Sequence, residues 1–100
     1  MREGQALISE IIITSLEEGA FGVEVRGEGA TSTNHRVTVP EGMVEELDLA
    51  EVDRERLVKE SIAFLLEREP STAILPDFSL DEIGRFFPEY FQELPARLSP

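Results

Sequence analysis

The sequence predicts an α+β fold: a three-stranded antiparallel meander over about residues 10–39, then a long helix and short C-terminal helices. Three observations predict it. Apolar and polar residues alternate over 21–26 and again over 35–39, the period of a strand with one buried face. From residue 41 to residue 69 the apolar spacing becomes helical. Beyond that, Pro70, Pro88 and Pro95 cut the chain into short pieces.

The meander begins in "EIIITSLEEGAFGVEVRGEG". Consecutive Ile11, Ile12, Ile13 and Thr14 favour a strand, because β-branching restricts side-chain rotamers in a helix. Over 5–17, however, Leu7, Ile8, Ile11, Ile12, Ser15 and Leu16 also fit a helical stripe, so helix is the rival reading there. Glu17-Glu18-Gly19 breaks the segment, and Phe21, Val23 and Val25 then alternate against Gly22, Glu24 and Arg26. "RGEGATSTN" supplies the second turn. "HRVTVP" repeats the alternation with Val37 and Val39 inward and Arg36 and Thr38 outward, until Pro40, which cannot donate to a ladder, closes the strand.

"EGMVEELDL" predicts a short helix, and "VDRERLVKESIAFLLEREP" a long one over 53–69. Asp53 suits the N-cap, Val52 and Leu57 stand at staple positions, and Glu55 and Lys59 form a well-oriented i,i+4 pair. Pro70 stops the helix by disfavouring α geometry at Glu69. Leu57, Val58, Ile62, Phe64, Leu65 and Leu66 spread over about 200° of the wheel, wider than one contact surface needs. The helix should therefore touch its own sheet and, in addition, either the C-terminal helices or a second chain.

In "DFSLDEIGRFF", Ser79 and Glu82 form a capping box, with Phe78 and Ile83 at the staple positions, so a helix over 79–87 follows. Pro88 ends it, Tyr90, Phe91 and Leu94 fold in as a cover, and Pro95 breaks the chain again. Internal repeats and linkers are absent from the sequence, and residues 1–100 read as one domain.

Most of the aromatic residues fall in "RFFPEYFQELP". Packed back on the sheet, Ile83, Phe86 and Phe87 share one side and the segment is a lid over the core. Four aromatics exceed what a small lid requires, which leaves part of the cluster for a partner, with Tyr90 placed at its rim by its polar tip.

The net charge of −12 sets this chain against phosphate backbones and anionic lipid. Its cations, eight Arg and Lys59, are scattered. In "EGMVEELDLAEVDRE" seven carboxylates meet one Arg, a solvated face or a docking patch for a basic partner. Glu41 and Glu45 share a helix face but lack the spacing of a calcium loop, and no metal or cofactor is expected. The one histidine, His35, is expected at an exposed strand edge; no Gly-x-Ser-x-Gly elbow accompanies it, and "RGEGATST" lacks the Gly-Lys-Ser/Thr of a phosphate loop. An enzyme is not expected. The longest apolar run, "IAFLL", is too short to cross a bilayer, and the N-terminus has no apolar signal core. The lack of cysteine suits a reducing cytoplasm.

Two resemblances add to this reading. "NHRVTVPEGMVEELDLAEVDRERLVKESIAFLLEREP" resembles a ribbon-helix-helix DNA-binding module in its order of strand, short helix and long helix. The resemblance implies that Asn34, Arg36 and Thr38 would read the major groove. The chain departs from that pattern in the hairpin before the ribbon, the acidic first helix and the turn "VDRE". "VKESIAFLLEREPSTAILPDFSLDEIGRFFPEY" (58–90) is similar to a recurring segment of small bacterial proteins of uncharacterised activity; the likeness covers roughly 35–91 and implies a shared fold.

The expected function is that of a cytoplasmic, non-enzymatic protein-interaction module, self-associating as a homodimer or binding a basic partner. Its interface would draw on the 53–69 helix or on Phe86, Phe87, Tyr90 and Phe91, with Glu41, Glu45, Glu46 and Asp48 steering the partner. The alternative is a DNA-binding regulator or antitoxin-like protein using Asn34, Arg36 and Thr38.

Overall fold

A computed structural model describes residues 10–27 and 32–98 of the chain. The elements run β1 (Glu10–Glu17), β2 (Ala20–Arg26), β3 (Ser32–Thr38), α1 (Glu41–Glu46), α2 (Arg54–Leu66), β4 (Asp77–Ser79), α3 (Ile83–Phe86) and α4 (Tyr90–Leu98). Single 3-10 turns occupy Ser71–Ala73 and Leu80–Glu82. The α+β class is as expected. Residues 5–9 of the strand-or-helix question and 28–31 of the second turn lie outside the described residues; over 10–17 the chain is strand.

β1, β2 and β3 form the antiparallel meander, with Ile13 opposite Val23 and Val23 opposite His35. Gly19, at φ +77°, takes the left-handed conformation that the β1–β2 turn requires. Phe21, Val23, Val25 and Val37 are all buried on one face, as the alternation predicts. The sheet is nevertheless four-stranded and mixed, which corrects the three-stranded expectation. β4 pairs parallel to β3 through Arg36–Asp77, Val37–Phe78 and Thr38–Ser79, and the Arg36 amide donates to Pro76 O at 2.7 Å. A parallel pair demands a long crossover, and α1 and α2 supply it.

α1 ends in a Schellman motif. Asp48, at φ +60°, is its left-handed residue: its amide donates to Glu45 O at 3.2 Å, while Leu49 N donates to Val44 O at 2.8 Å. Val44 and Leu49, the pair that accompanies this motif, are both buried. Asp53 caps α2 by accepting from Glu55 N at 3.3 Å. Arg54 ties the helix start back to Ala50 O, Val52 O and Glu41.

The wide apolar arc of α2 is satisfied within the chain. Leu57, Val58, Ile62, Phe64 and Leu65 are buried between the sheet and α4, so the 53–69 helix has no spare apolar face for a partner. Glu55 and Lys59 make no ion pair among the described residues, and α2 ends at Leu66, three residues before the predicted end. The capping box at Ser79 and Glu82 is present, but it starts a 3-10 turn, and Phe78 is spent on β4. Pro95 does not break the chain: α4 runs through it, because burial of Tyr90, Leu94 and Leu98 outweighs one missing amide donor.

Candidate functional site: an apolar groove below Phe86

The aromatic segment divides residue by residue. Tyr90 and Leu94 are fully buried and act as the lid. Tyr90 therefore does not stand at a rim; its hydroxyl finds Ser61 Oγ inside the core at 2.7 Å, and burial raises its pKa while that hydrogen bond opposes the rise. Phe86 is 69% exposed, so it does not pack back on the sheet with Ile83. Phe91 lies partly exposed against Gly84, so close that a Cβ there would sit 2.0 Å from its ring.

Beside Phe86 lies a groove of about 280 Å³. Leu65 at the end of α2, Glu69 just beyond it, the segment 73–75, Phe78 of β4, and Glu82, Ile83, Phe86 and Phe87 line it. Leu75, 49% exposed, and partly buried Phe87 line it together with Phe86. Glu69 and Glu82 are the charged residues of the lining, and no cation lines it. Isolated exposed apolar side chains are ordinary, but these two border the same depression.

The walls are braced from behind. The Phe64 ring meets Phe87 edge-on at 6.1 Å and Tyr90 at 5.2 Å, and the Arg68 guanidinium lies 3.6 Å above it. Such a cation–π contact is worth about 0.5–2 kcal/mol, more when desolvated. Arg68 also donates to Glu89 at 3.2 Å and Glu93 at 3.0 Å, fastening α4 to the end of α2. Arg97 adds Glu67 at 2.5 Å and Glu60 at 3.6 Å. The Arg97 hydrogen bond is the main cause holding the Glu67 carboxyl below its ordinary range, with Arg68 adding to it.

The acidic candidates lie elsewhere. Glu41, Glu45 and Glu46 are exposed on α1, near the start of α2, whereas the groove is at its far end, about 20 Å away by helical rise. Asp48 has a structural part in the α1 cap, which a reading of its charge alone missed. Among the described residues, no group of three or more acidic or histidine side chains could hold a metal.

His35 is buried, not exposed. It shares the inner face of β3 with Val37, and its Nδ1 and Nε2 lie 2.8 Å from Leu75 O and 2.9 Å from Thr33 Oγ1. It thus pins the 73–75 wall of the groove to the sheet. Its i,i+2 relation to Val37 was the signal that could have placed it.

Asn34, Arg36 and Thr38 are exposed on the outer sheet face, as the ribbon resemblance requires. Arg36 is already paired with Glu17 at 2.9 Å, and over 36–38 β3 is flanked by β2 and β4, leaving no free ribbon edge.

Comparison of the chain with protein-family models, with curated proteins and with solved structures finds no match. No helix among the described residues is long and apolar enough to cross a membrane.

Proposed function

We propose that the chain is a non-enzymatic protein-interaction module that seats a basic segment with an apolar anchor in the groove below Phe86. The observation that carries this reading is the exposure of Phe86 and Leu75 over an apolar depression whose charged lining consists of carboxylates alone. An apolar anchor entering the groove would gain about 25 cal/mol for each Å² removed from water. Glu69 and Glu82 would select Lys or Arg beside that anchor. The net charge of −12 draws basic partners from a distance and repels acidic ones, with Glu41, Glu45 and Glu46 contributing to steering but not to contact.

The test is an NMR titration of the labelled protein with an amphipathic Leu/Lys helical peptide, against a Leu/Glu peptide of equal length. Shift changes centred on Leu75, Phe86 and Phe87, lost in Phe86→Asp and absent with the acidic peptide, support the reading. Changes spread over α1 alone would show charge attraction without a seat and would overturn it. Duplex DNA at low salt serves as a third ligand, and salt-sensitive binding through Arg36 would favour the regulator alternative.

A further inference from the structure

Among the described residues β1 is the outermost strand, paired with β2 on one side and with nothing on the other. Such an edge presents a row of backbone donors and acceptors to any second strand, and proteins commonly blunt it with Lys, Pro, a bulge or a covering element. β1 has neither Lys nor Pro. Its register irregularity falls between Ser15 and Glu17, which leaves Glu10–Ser15 regular, with Ile11, Ile12 and Ile13 only partly buried.

On the helix side of this edge runs a shallow trough, formed by Ile11 and Ile13 of β1, by the cap residue Asp53 and by Glu55, Arg56 and Lys59 of α2. It holds both signs of charge in one short row. Arg56 and Lys59, like Arg85 elsewhere, make no ion pair among the described residues, whereas Arg26, Arg36, Arg54, Arg68 and Arg97 do. In a chain this acidic, unspent cations beside an open edge call for acidic groups from outside.

We propose that the occupant of this edge is a second copy of the chain, joined β1 to β1 in antiparallel register about a two-fold axis. Directly opposed residues share a face, so inner residues must meet inner residues, which restricts the register to those in which a residue opposes itself. The register centred on Ile12 sets Ile11 against the second copy's Ile13 and Glu10 against its Thr14, keeping Ile on Ile. The same axis lays the two α2 helices side by side and antiparallel, bringing Asp53 and Glu55 of each toward Arg56 and Lys59 of the other. This surface is separate from the groove, and it deepens the interaction-module reading by naming where self-association occurs.

The chain contains no cysteine, so single-cysteine variants report the register directly. Ile12→Cys should cross-link to itself rapidly under mild oxidation, since opposed Cα atoms in antiparallel pairs lie about 4.5–5.5 Å apart, within disulfide reach. Ile11→Cys and Ile13→Cys should cross-link with each other in a mixture far faster than either does alone. Sedimentation equilibrium should give a dimer for the unmodified chain and a monomer for Ile12→Lys, with circular dichroism and the peptide response at Phe86 unchanged. A unmodified chain that stays monomeric at high micromolar concentration overturns the proposal. So does a dimer that survives Ile12→Lys, or Ile12→Cys oxidising no faster than a Leu75→Cys control. Because Ile12→Lys leaves the groove intact, failure here is distinguishable from failure of the groove reading.

Discussion

The hydroxyl of Tyr90 lies 2.7 Å from Oγ of Ser61, and neither residue is exposed to solvent. Ser61 donates to Leu57 O at 2.8 Å, so Tyr90 donates to Ser61, and a chain of two hydrogen bonds joins α4 to α2. Burial disfavours the phenolate more than Ser61 favours it, which raises the Tyr90 pKa.

Removing either partner tests this link. Tyr90→Phe deletes the donor and should cost about 1 kcal/mol. Ser61→Ala strands the Tyr90 hydroxyl without an acceptor and should cost more, about 1–3 kcal/mol. The double variant should be less destabilised than the sum, measured by urea denaturation.

Tyr90 is the chain's one tyrosine, and tryptophan is absent, so its ionisation has a clean optical signal. With the folded-state pKa above the unfolded value near 10, the stabilisation is complete below about pH 10 and is lost as pH rises beyond it. Tyrosinate absorbance should therefore appear only together with loss of helical circular dichroism. Titration in the folded state would contradict the burial.

The α2–α4 seam should weaken in acid. Hydrogen bonding to Arg97 lowers the Glu67 pKa, and Glu89 is lowered by its own backbone N–H and then by Arg68. Carboxyls with depressed folded-state values contribute stability above their unfolded value, about 4.3, and lose it as pH falls through the depressed one. Thermal midpoints should drop in that window, and Arg97→Gln should flatten the slope.

Much of this fold is legible in the sequence, and the exceptions have specific causes. Alternation at Phe21, Val23, Val25 and Val37 places β2 and β3, the β-branched run Ile11–Thr14 places β1, and the width of the α2 arc announces two packing surfaces. β4 is invisible because three residues carry no periodicity and their pairing with β3 depends on a crossover more than 30 residues long. Residue type favours an exposed His35, whereas its parity with Val37 points inward, as the structure has it. The polar tip of Tyr90 favours a rim position, but its partner, Ser61, is 29 positions away, beyond any local pattern. The groove joins Leu65 and Glu69 to Ala73, Ile74, Leu75 and Phe78 and to residues around Phe86, so only the aromatic density there hints at it.

Gly84 should resist enlargement. A methyl group there would meet the Phe91 ring at 2.0 Å, which forces the ring outward. Gly84→Ala should cost about 1–3 kcal/mol. Combining it with Phe91→Ala should cost less than the two effects summed, read from chemical denaturation.

Asp48 occupies a left-handed position at φ +60°. Gly is at ease there, so Asp48→Gly should stabilise the chain by about 0.5–1 kcal/mol, whereas β-branched Val should destabilise it. Thermal melts distinguish this structural part from a steering charge, which would alter binding and leave the melt unchanged.

In the proposed function, Phe86 marks the seat of a basic, apolar-anchored segment. Selection from a random peptide display library against the unmodified chain, with counter-selection on Phe86→Asp, is the decisive experiment. Enriched peptides should carry a large apolar residue flanked by Lys or Arg and should fail to bind the variant. Enrichment of peptides without that pairing, or equal binding to Phe86→Asp, would contradict it.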